Sequence, residues 1–269
     1  MADPNQVNTV NPYFEMILPA VGIKKNLYLL ILICSAAIIF IFTGKALFPE
    51  LKDYEDSYII LLHGLGRTSI SMKRLEWVLS DKGYDVINAG YPSTKFSIRH
   101  LANDHLDRII KEHCAEPDRK IHFMTHSMGG IILRCYLQKH KLANIGRVIM
   151  FGPPNQGSEI ADHFKNNFLY KFFMGPAGQE IGTGLNDIPC KLGPVDFELG
   201  VIAGNSTLNP YFSYIIPGPD DGKVSVKRAK ISGMKDFLVV HTSHSFMIWR
   251  KKVIKQAIYF LENGMFYRQ

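Results

Sequence analysis

Cysteine is scarce and unpatterned in this 269-residue chain. One of the four lies in an apolar run, which leaves Cys114, Cys135 and Cys190, an odd set without framework spacing; a small disulfide scaffold is excluded. Neither an H-E-x-x-H nor a paired C-x-x-C is present, and the spacings of His100, His105 and His113 do not bring three imidazoles to one metal, so no metal is expected. Gly64-Leu65-Gly66-Arg67 lacks both a P-loop lysine and the dinucleotide G-x-G-x-x-G pattern, and no cofactor is expected. Repeats and low-complexity tracts are absent too, which excludes collagen-like and coiled-coil classes. With 46% hydrophobic and 20% charged residues, the composition is that of a globular protein, not a disordered one. The net charge of +7 is spread along the chain, with local clusters at Lys223–Lys230 and Arg250–Lys255. No nucleic-acid-binding signature accompanies it, so solvent or lipid headgroups are the expected partners of these basic faces and nucleic acid is not.

Only one long hydrophobic run is present. Leu27 to Thr43, LYLLILICSAAIIFIFT, holds seventeen residues without a charge. As a helix it reaches about 25 Å, the short end of what crosses a hydrocarbon core of roughly 30 Å. It has no polar face, which argues against a buried globular helix. No A-x-A pattern follows it, and the segment before it is long for a signal peptide, although Met16 as a start would shorten that segment. The reading is an N-terminal tail over 1–26, an uncleaved membrane anchor (or signal peptide) over 27–44, and a catalytic domain over 54–269. Lys24-Lys25 before the run favours that end in the cytoplasm and the catalytic body outside it, with Lys45 and Lys52 weighing against. The oligomeric state is left open.

From about residue 54 short apolar runs alternate with amphipathic ones. Strands are expected at 57–62, 84–89, 121–125, 147–151, 197–203 and 237–240, and helices around 72–79, 98–109, 129–139, 160–174 and 246–262. The Gly- and Pro-rich stretch 175–195 is expected to be irregular. In the last helix Trp249, Val253, Ala257, Phe260 and Leu261 are expected on one packed side. Strands alternating with helices predict a mainly parallel sheet of about six strands covered on both faces, a three-layer α/β domain.

The most informative stretch is Ile121–Gly130, IHFMTHSMGG, a strand running into a tight turn before a helix. Such a turn needs small residues around a central serine, whose hydroxyl then projects above the sheet beside the following N–H groups. Thr125 stands where the first glycine of G-x-S-x-G would be. A serine N-cap is the bland alternative. A serine nucleophile needs a base, an orienting acid and donors for the developing oxyanion. His63-Gly64-Leu65-Gly66, at the end of the first strand, is a candidate for those donors: the Leu65 N–H would pair with that of Met128.

LLHGLG, THSMGG and the downstream DDGKVSV and HTSHSFM together resemble the α/β-hydrolase superfamily, especially bacterial lipases and esterases, over about residues 57–262. The resemblance implies an acid and then a histidine after the serine, each following a late strand. Asp221, immediately before Gly222, matches the acid, with Asp220 as the fallback; His244 matches the base, and His241 lies about three residues too early. It further implies hydrolysis of carboxylic esters through an acyl-enzyme on Ser127. A thioesterase, amidase or acyltransferase using the same residues, or a non-catalytic binding protein on this fold, are the alternatives. The aromatics between Phe164 and Phe173, where many relatives carry a lid, would line an acyl pocket, face a bilayer or pack on the sheet; an acyl ester or lipid is the expected substrate.

Overall fold

Strand alternation divides the core in two. In β1 (Ser57–Leu62) Ile59 and Leu61 point to one face and Ile60 and Leu62 to the other, and all four are fully buried. A strand covered on both sides belongs in a parallel sheet between helical layers. The computed structural model describes residues 57–268; the apolar run at 27–43 lies outside the described residues, as does the rest of segment 1–56. Among the described residues no helix is long and apolar enough to cross a membrane.

The other strands are β2 (Asp85–Ala89), β3 (Lys120–His126), β4 (Ile145–Phe151), β5 (Leu199–Gly204) and β6 (Asp236–Val240). They form a six-stranded, wholly parallel sheet in the order β2-β1-β3-β4-β5-β6. Helix α1 (Lys73–Ser80) follows a 3-10 turn and sends Leu75 and Leu79 into the core holding Ile59 and Leu61. On the opposite face lie α2 (Ile98–His100), which continues through a π-helical stretch (Leu101–Leu106) into α3 (Asp107–His113), and α4 (Met128–Lys139).

The order reverses at β1: the chain moves outward to β2, then returns across β1 to β3. In open α/β sheets the crevice beyond the strand ends at such a reversal is where ligands bind. The ends of β1 and β3 are where His63-Gly64-Leu65-Gly66 and Ser127 were found.

Three expectations are corrected. The helix expected over 160–174 is two, α5 (Glu159–Phe164) and α6 (Phe168–Gln179): the Asn167 side chain accepts from the Tyr170 amide and starts a new helix. Helix α6 also runs into the stretch expected to be irregular. It kinks at Gly175, whose φ is 60° and where a Cβ would lie 1.7 Å from the Thr94 carbonyl oxygen. That stretch holds a second short helix, α7 (Ile188–Lys191). Two further short helices, α8 (Pro210–Ile215) and α9 (Val226–Ala229), lie on either side of the two aspartates. The last helix, α10 (Lys251–Asn263), is separated by extended Arg250 from a 3-10 turn, Met247–Trp249. That break turns Trp249 outward, 42% exposed, while Val253, Ala257, Phe260 and Leu261 stay in the core.

A half-buried imidazole ties β3 to β4 where their register shifts. His122 Nδ1 accepts from the Arg147 amide at 2.8 Å, and burial pulls its pKa down to about 4. Above about pH 6.5 the ring is neutral folded and unfolded, and contributes no pH dependence. As pH falls toward 4 the unfolded chain takes up a proton that the folded chain refuses, so stability declines, by about 3 kcal/mol at pH 4. Urea unfolding followed by circular dichroism at pH 7 and pH 4 should show this loss, and His122→Gln should reduce the difference by about that amount.

Candidate active site

Between β3 and α4 the chain turns in a single residue. Ser127 has φ 54° and ψ −125°, and among the described residues it is the one non-glycine with positive φ. Such a backbone costs on the order of 1–3 kcal/mol and persists only where the surroundings enforce it. Its amide donates to the Phe151 carbonyl at 2.9 Å, and its carbonyl accepts from Gly130 at 3.0 Å. Close packing enforces the rest. A Cβ on Gly129 would stand 2.6 Å from the Leu62 carbonyl oxygen, so the start of α4 presses on the end of β1. Thr125 fits because Gly130 stands opposite: a Cβ there would be 3.1 Å from Thr125 Oγ1. Ser127 occupies the cap position of α4, yet its side chain makes no capping hydrogen bond, so helix capping does not account for it.

Gly64 is as constrained as Gly129, since a Cβ on it would lie 3.0 Å from the Cβ of Ser127. The turn it starts is braced by His63, fully buried and stacked on Tyr91 with ring centroids 3.9 Å apart. His63 Nδ1 donates to the Gly64 carbonyl at 2.9 Å, Nε2 accepts from the Tyr91 amide, and the Tyr91 hydroxyl donates to the His63 carbonyl. Burial holds the His63 pKa below its usual range, which fits this neutral tautomer. Beyond the turn the Gly66 amide donates to Ser93 Oγ at 3.1 Å. The amides of Leu65 and Met128 have no acceptor in these turns among the described residues, and the Met128 side chain is buried in the core.

The two aspartates have different partners. Asp221 Oδ2 accepts from His244 Nδ1 at 2.7 Å, and its Oδ1 accepts from the amides of Lys223 and Val224 at 3.0 and 2.9 Å. The His244 amide also donates to the Asp221 carbonyl at 2.9 Å. Asp220 is turned to Ser213 Oγ and the Gly222 amide, so of the two aspartates it is Asp221 whose side chain meets His244. His241 is exposed at the end of β6, away from this pair. With Nδ1–H donating to Asp221, Nε2 is the ring nitrogen of His244 left without a partner among the described residues. Ser127 and His244 line one cavity of about 510 Å³, and no hydrogen bond joins them among the described residues.

One contributor, Gly152, was not legible in sequence, whereas His126 was expected to pack or hydrogen-bond near the turn. Gly152, with φ 52°, lies behind the acid and base: a Cβ there would stand 2.9 Å from Asp221 Oδ2 and 3.0 Å from His244 Nδ1. A glycine after a strand and before two prolines reads as a turn, and nothing local points across the sheet to residue 221. His126 is fully enclosed and donates from Nε2 to the His244 carbonyl at 3.0 Å, which leaves its Nδ1 an unpaired buried acceptor. Burial, reinforced by neighbouring His244, holds its pKa well below the usual imidazole range, so it stays neutral.

The cavity is apolar along α5 and α6, through Ile160, Phe164, Leu169, Phe173 and Met174. Leu169 and Phe173 are also among the exposed apolar residues of the surface, with Phe168 and Phe172 beside them. Phe164 and Phe173 therefore line the cavity, Phe168 and Phe172 are exposed beside it, and Tyr170 both lines the cavity and packs against the core.

No protein-family model matches this chain, and no curated protein sequence matches it. Solved structures do. The chain is similar to the mature lipase BlEst2 of Bacillus licheniformis, at 21% identity and TM-score 0.59, over 78% of this chain and 92% of that one. It is similar to the phospholipase PlaB of Legionella pneumophila at 18% identity and TM-score 0.58, over 70% of this chain and 53% of that one, so it spans about half of PlaB's length. It is similar to a thermophilic esterase from Thermogutta terrifontis at 14% identity and TM-score 0.56, over 77% and 90% of the two chains. These likenesses establish the α/β-hydrolase fold.

If Asp221 alone holds the imidazole, the wild-type protein should show a strongly downfield His244 Nδ1 proton in its NMR spectrum. Asp221→Asn should shift or abolish that resonance, and Asp220→Asn should keep it; the reverse pattern would assign the acid to Asp220.

Proposed function

We propose that this chain is a serine hydrolase of carboxylic esters. The observation that carries the reading is the buried 2.7 Å contact between Asp221 and His244 beside a serine whose strained backbone serves no capping role. An ion-pair-capable Asp–His contact is common in folded proteins. One that shares a cavity with a serine at a positive-φ strand-to-helix turn answers the requirements of nucleophilic acyl transfer.

In this reading Ser127 Oγ rotates within the shared cavity to hydrogen-bond His244 Nε2, gives it its proton and attacks the carbonyl carbon. Charge moves to the carbonyl oxygen, which the Leu65 and Met128 amides stabilise; removing a donor of this kind costs about 3–4 kcal/mol. Collapse breaks the bond to the alcohol, which takes the proton from His244 and leaves the acyl group on Ser127. A water, deprotonated by His244, then cleaves the acyl-enzyme and restores the serine. Asp221 keeps the Nδ1 proton in place throughout and stabilises the imidazolium.

The acyl chain is assigned to the wall formed by Ile160, Phe164 and Phe173, which supports a medium or long acyl group over acetyl. Lipase, phospholipase and esterase structures among the similar folds agree with ester chemistry. An anchor over 27–44, with the catalytic body on the far side of the membrane from the cytoplasm, would keep such an enzyme beside lipophilic esters.

A fluorophosphonate probe should label the wild-type protein on Ser127 and leave Ser127→Ala unlabelled. Turnover of p-nitrophenyl esters should fall at least about 10⁴-fold in Ser127→Ala and by a similar factor in Asp221→Asn. Rates should rise from acetyl to octanoyl esters; a strict preference for acetyl would overturn the acyl-wall assignment while leaving the hydrolase reading intact.

A further inference from the structure

The cavity is asymmetric in charge. Besides its apolar residues it is lined by two exposed cations, Arg67 and Lys223. Each is fastened to the acid–base side of the site. Arg67 follows the Gly64–Gly66 turn and donates through Nη2 to Ser245 Oγ at 3.1 Å, the residue after His244. Lys223 lies two residues beyond Asp221, and its amide is one of the two that hold Asp221 Oδ1. Its carbonyl accepts from Ser158 Oγ at 2.9 Å, which fixes the backbone from which the ammonium extends.

Neither cation forms an ion pair among the described residues, although ten such pairs occur elsewhere in them. The acid that acts on Lys223 is Asp221, whose oxygens are already taken by His244 and two amides. The two cations are close enough to repel: partial enclosure of the exposed Lys223 side chain, and then Arg67, hold its ammonium below its usual pKa. An unneutralised pair of like charges at a cavity mouth is a cost that an anion arriving from outside would relieve.

Which end of the substrate meets these charges follows from proton delivery. His244 must hand its proton to the leaving oxygen, so the alcohol departs on the side of His244, and the acyl chain lies along the apolar wall. We infer that Arg67 and Lys223 form an anion subsite for the alcohol portion, so that the preferred substrate is an acyl ester whose alcohol carries a phosphate or carboxylate near the ester oxygen. This rests on the ester-hydrolase reading and narrows its substrate class. A planar guanidinium that binds two oxygens at once and a mobile ammonium together suit either oxyanion.

The test uses three esters sharing one hexanoyl chain and one three-carbon alcohol, at monomeric concentrations with the full-length protein: 1-hexanoylglycerol, its 3-phosphate, and 3-hexanoylglycerate. The phosphate ester, the glycerate ester or both should exceed the neutral ester about ten-fold in kcat/KM, chiefly through KM, and the preference should shrink as salt is raised toward 0.5 M. A preference for both anions marks a general oxyanion site, and one for phosphate alone a phosphate site; each supports the subsite. Arg67→Gln and Lys223→Gln should each lower the anionic-to-neutral ratio about five-fold or more, with Arg67→Lys and Lys223→Arg retaining much of it. Equal rates for neutral and anionic esters, or a preference untouched by all four variants, would overturn the subsite. If Ser127 is still labelled by the fluorophosphonate and the neutral ester is still cleaved, only the subsite falls. Absence of both labelling and ester cleavage would remove the hydrolase reading, and the subsite with it.

Discussion

A serine held at φ 54° is the constraint around which this molecule is arranged. The conformation is unfavourable alone, so neighbouring segments must supply what stabilises it. Gly129 lets the start of α4 press against the Leu62 and His63 carbonyls, and Gly64 lets the next turn approach the serine itself. The Phe151 carbonyl on the adjoining strand accepts the Ser127 amide. Three parallel strands, β1, β3 and β4, therefore converge on one residue, and the reversal of strand order at β1 is what opens a crevice above it.

Around that residue three histidines have separable structural tasks. His63 braces the turn after β1 through both ring nitrogens and its stack on Tyr91. His126 grips the backbone of His244 through Nε2 and is too enclosed to take up a second proton at moderate pH. His244 is left with one nitrogen committed to Asp221 and the other free. A buried imidazole is expensive to protonate and cheap to keep as a directional donor and acceptor, which makes it a rigid bracket.

The candidate site is confined to one edge of the sheet, and its lining is of two kinds. Aromatic and aliphatic side chains from α5 and α6 form one wall, and the apolar surface continues outward onto Phe168 and Phe172. The lining also includes His244, hydrogen-bonded to Asp221, and the cations Arg67 and Lys223.

Much of the fold is written in local patterns. The six strands and the helices between them follow from apolar runs of strand length alternating with helical spacing, since burial of a strand or a helix face leaves a periodic trace in neighbouring residues. The helix breaks at Asn167 and Arg250 escaped that reading, because capping outweighs periodicity at the first and an extended residue interrupts the helix at the second. The break at Gly175, by contrast, falls where the helix was expected to end. Ser127 and the turn at Gly64–Gly66 were legible as motifs, and Asp221 and His244 through a resemblance carried by their short flanking sequences. What the chain determines unaided is which side chains are small, apolar or reactive, and at what spacing. Tertiary structure alone decided that Asp221 and not Asp220 meets His244, that Gly152 makes room behind them, and that Arg67 and Lys223 share one mouth. Those facts depend on distances between segments more than twenty residues apart, and such distances exist only once the sheet has assembled.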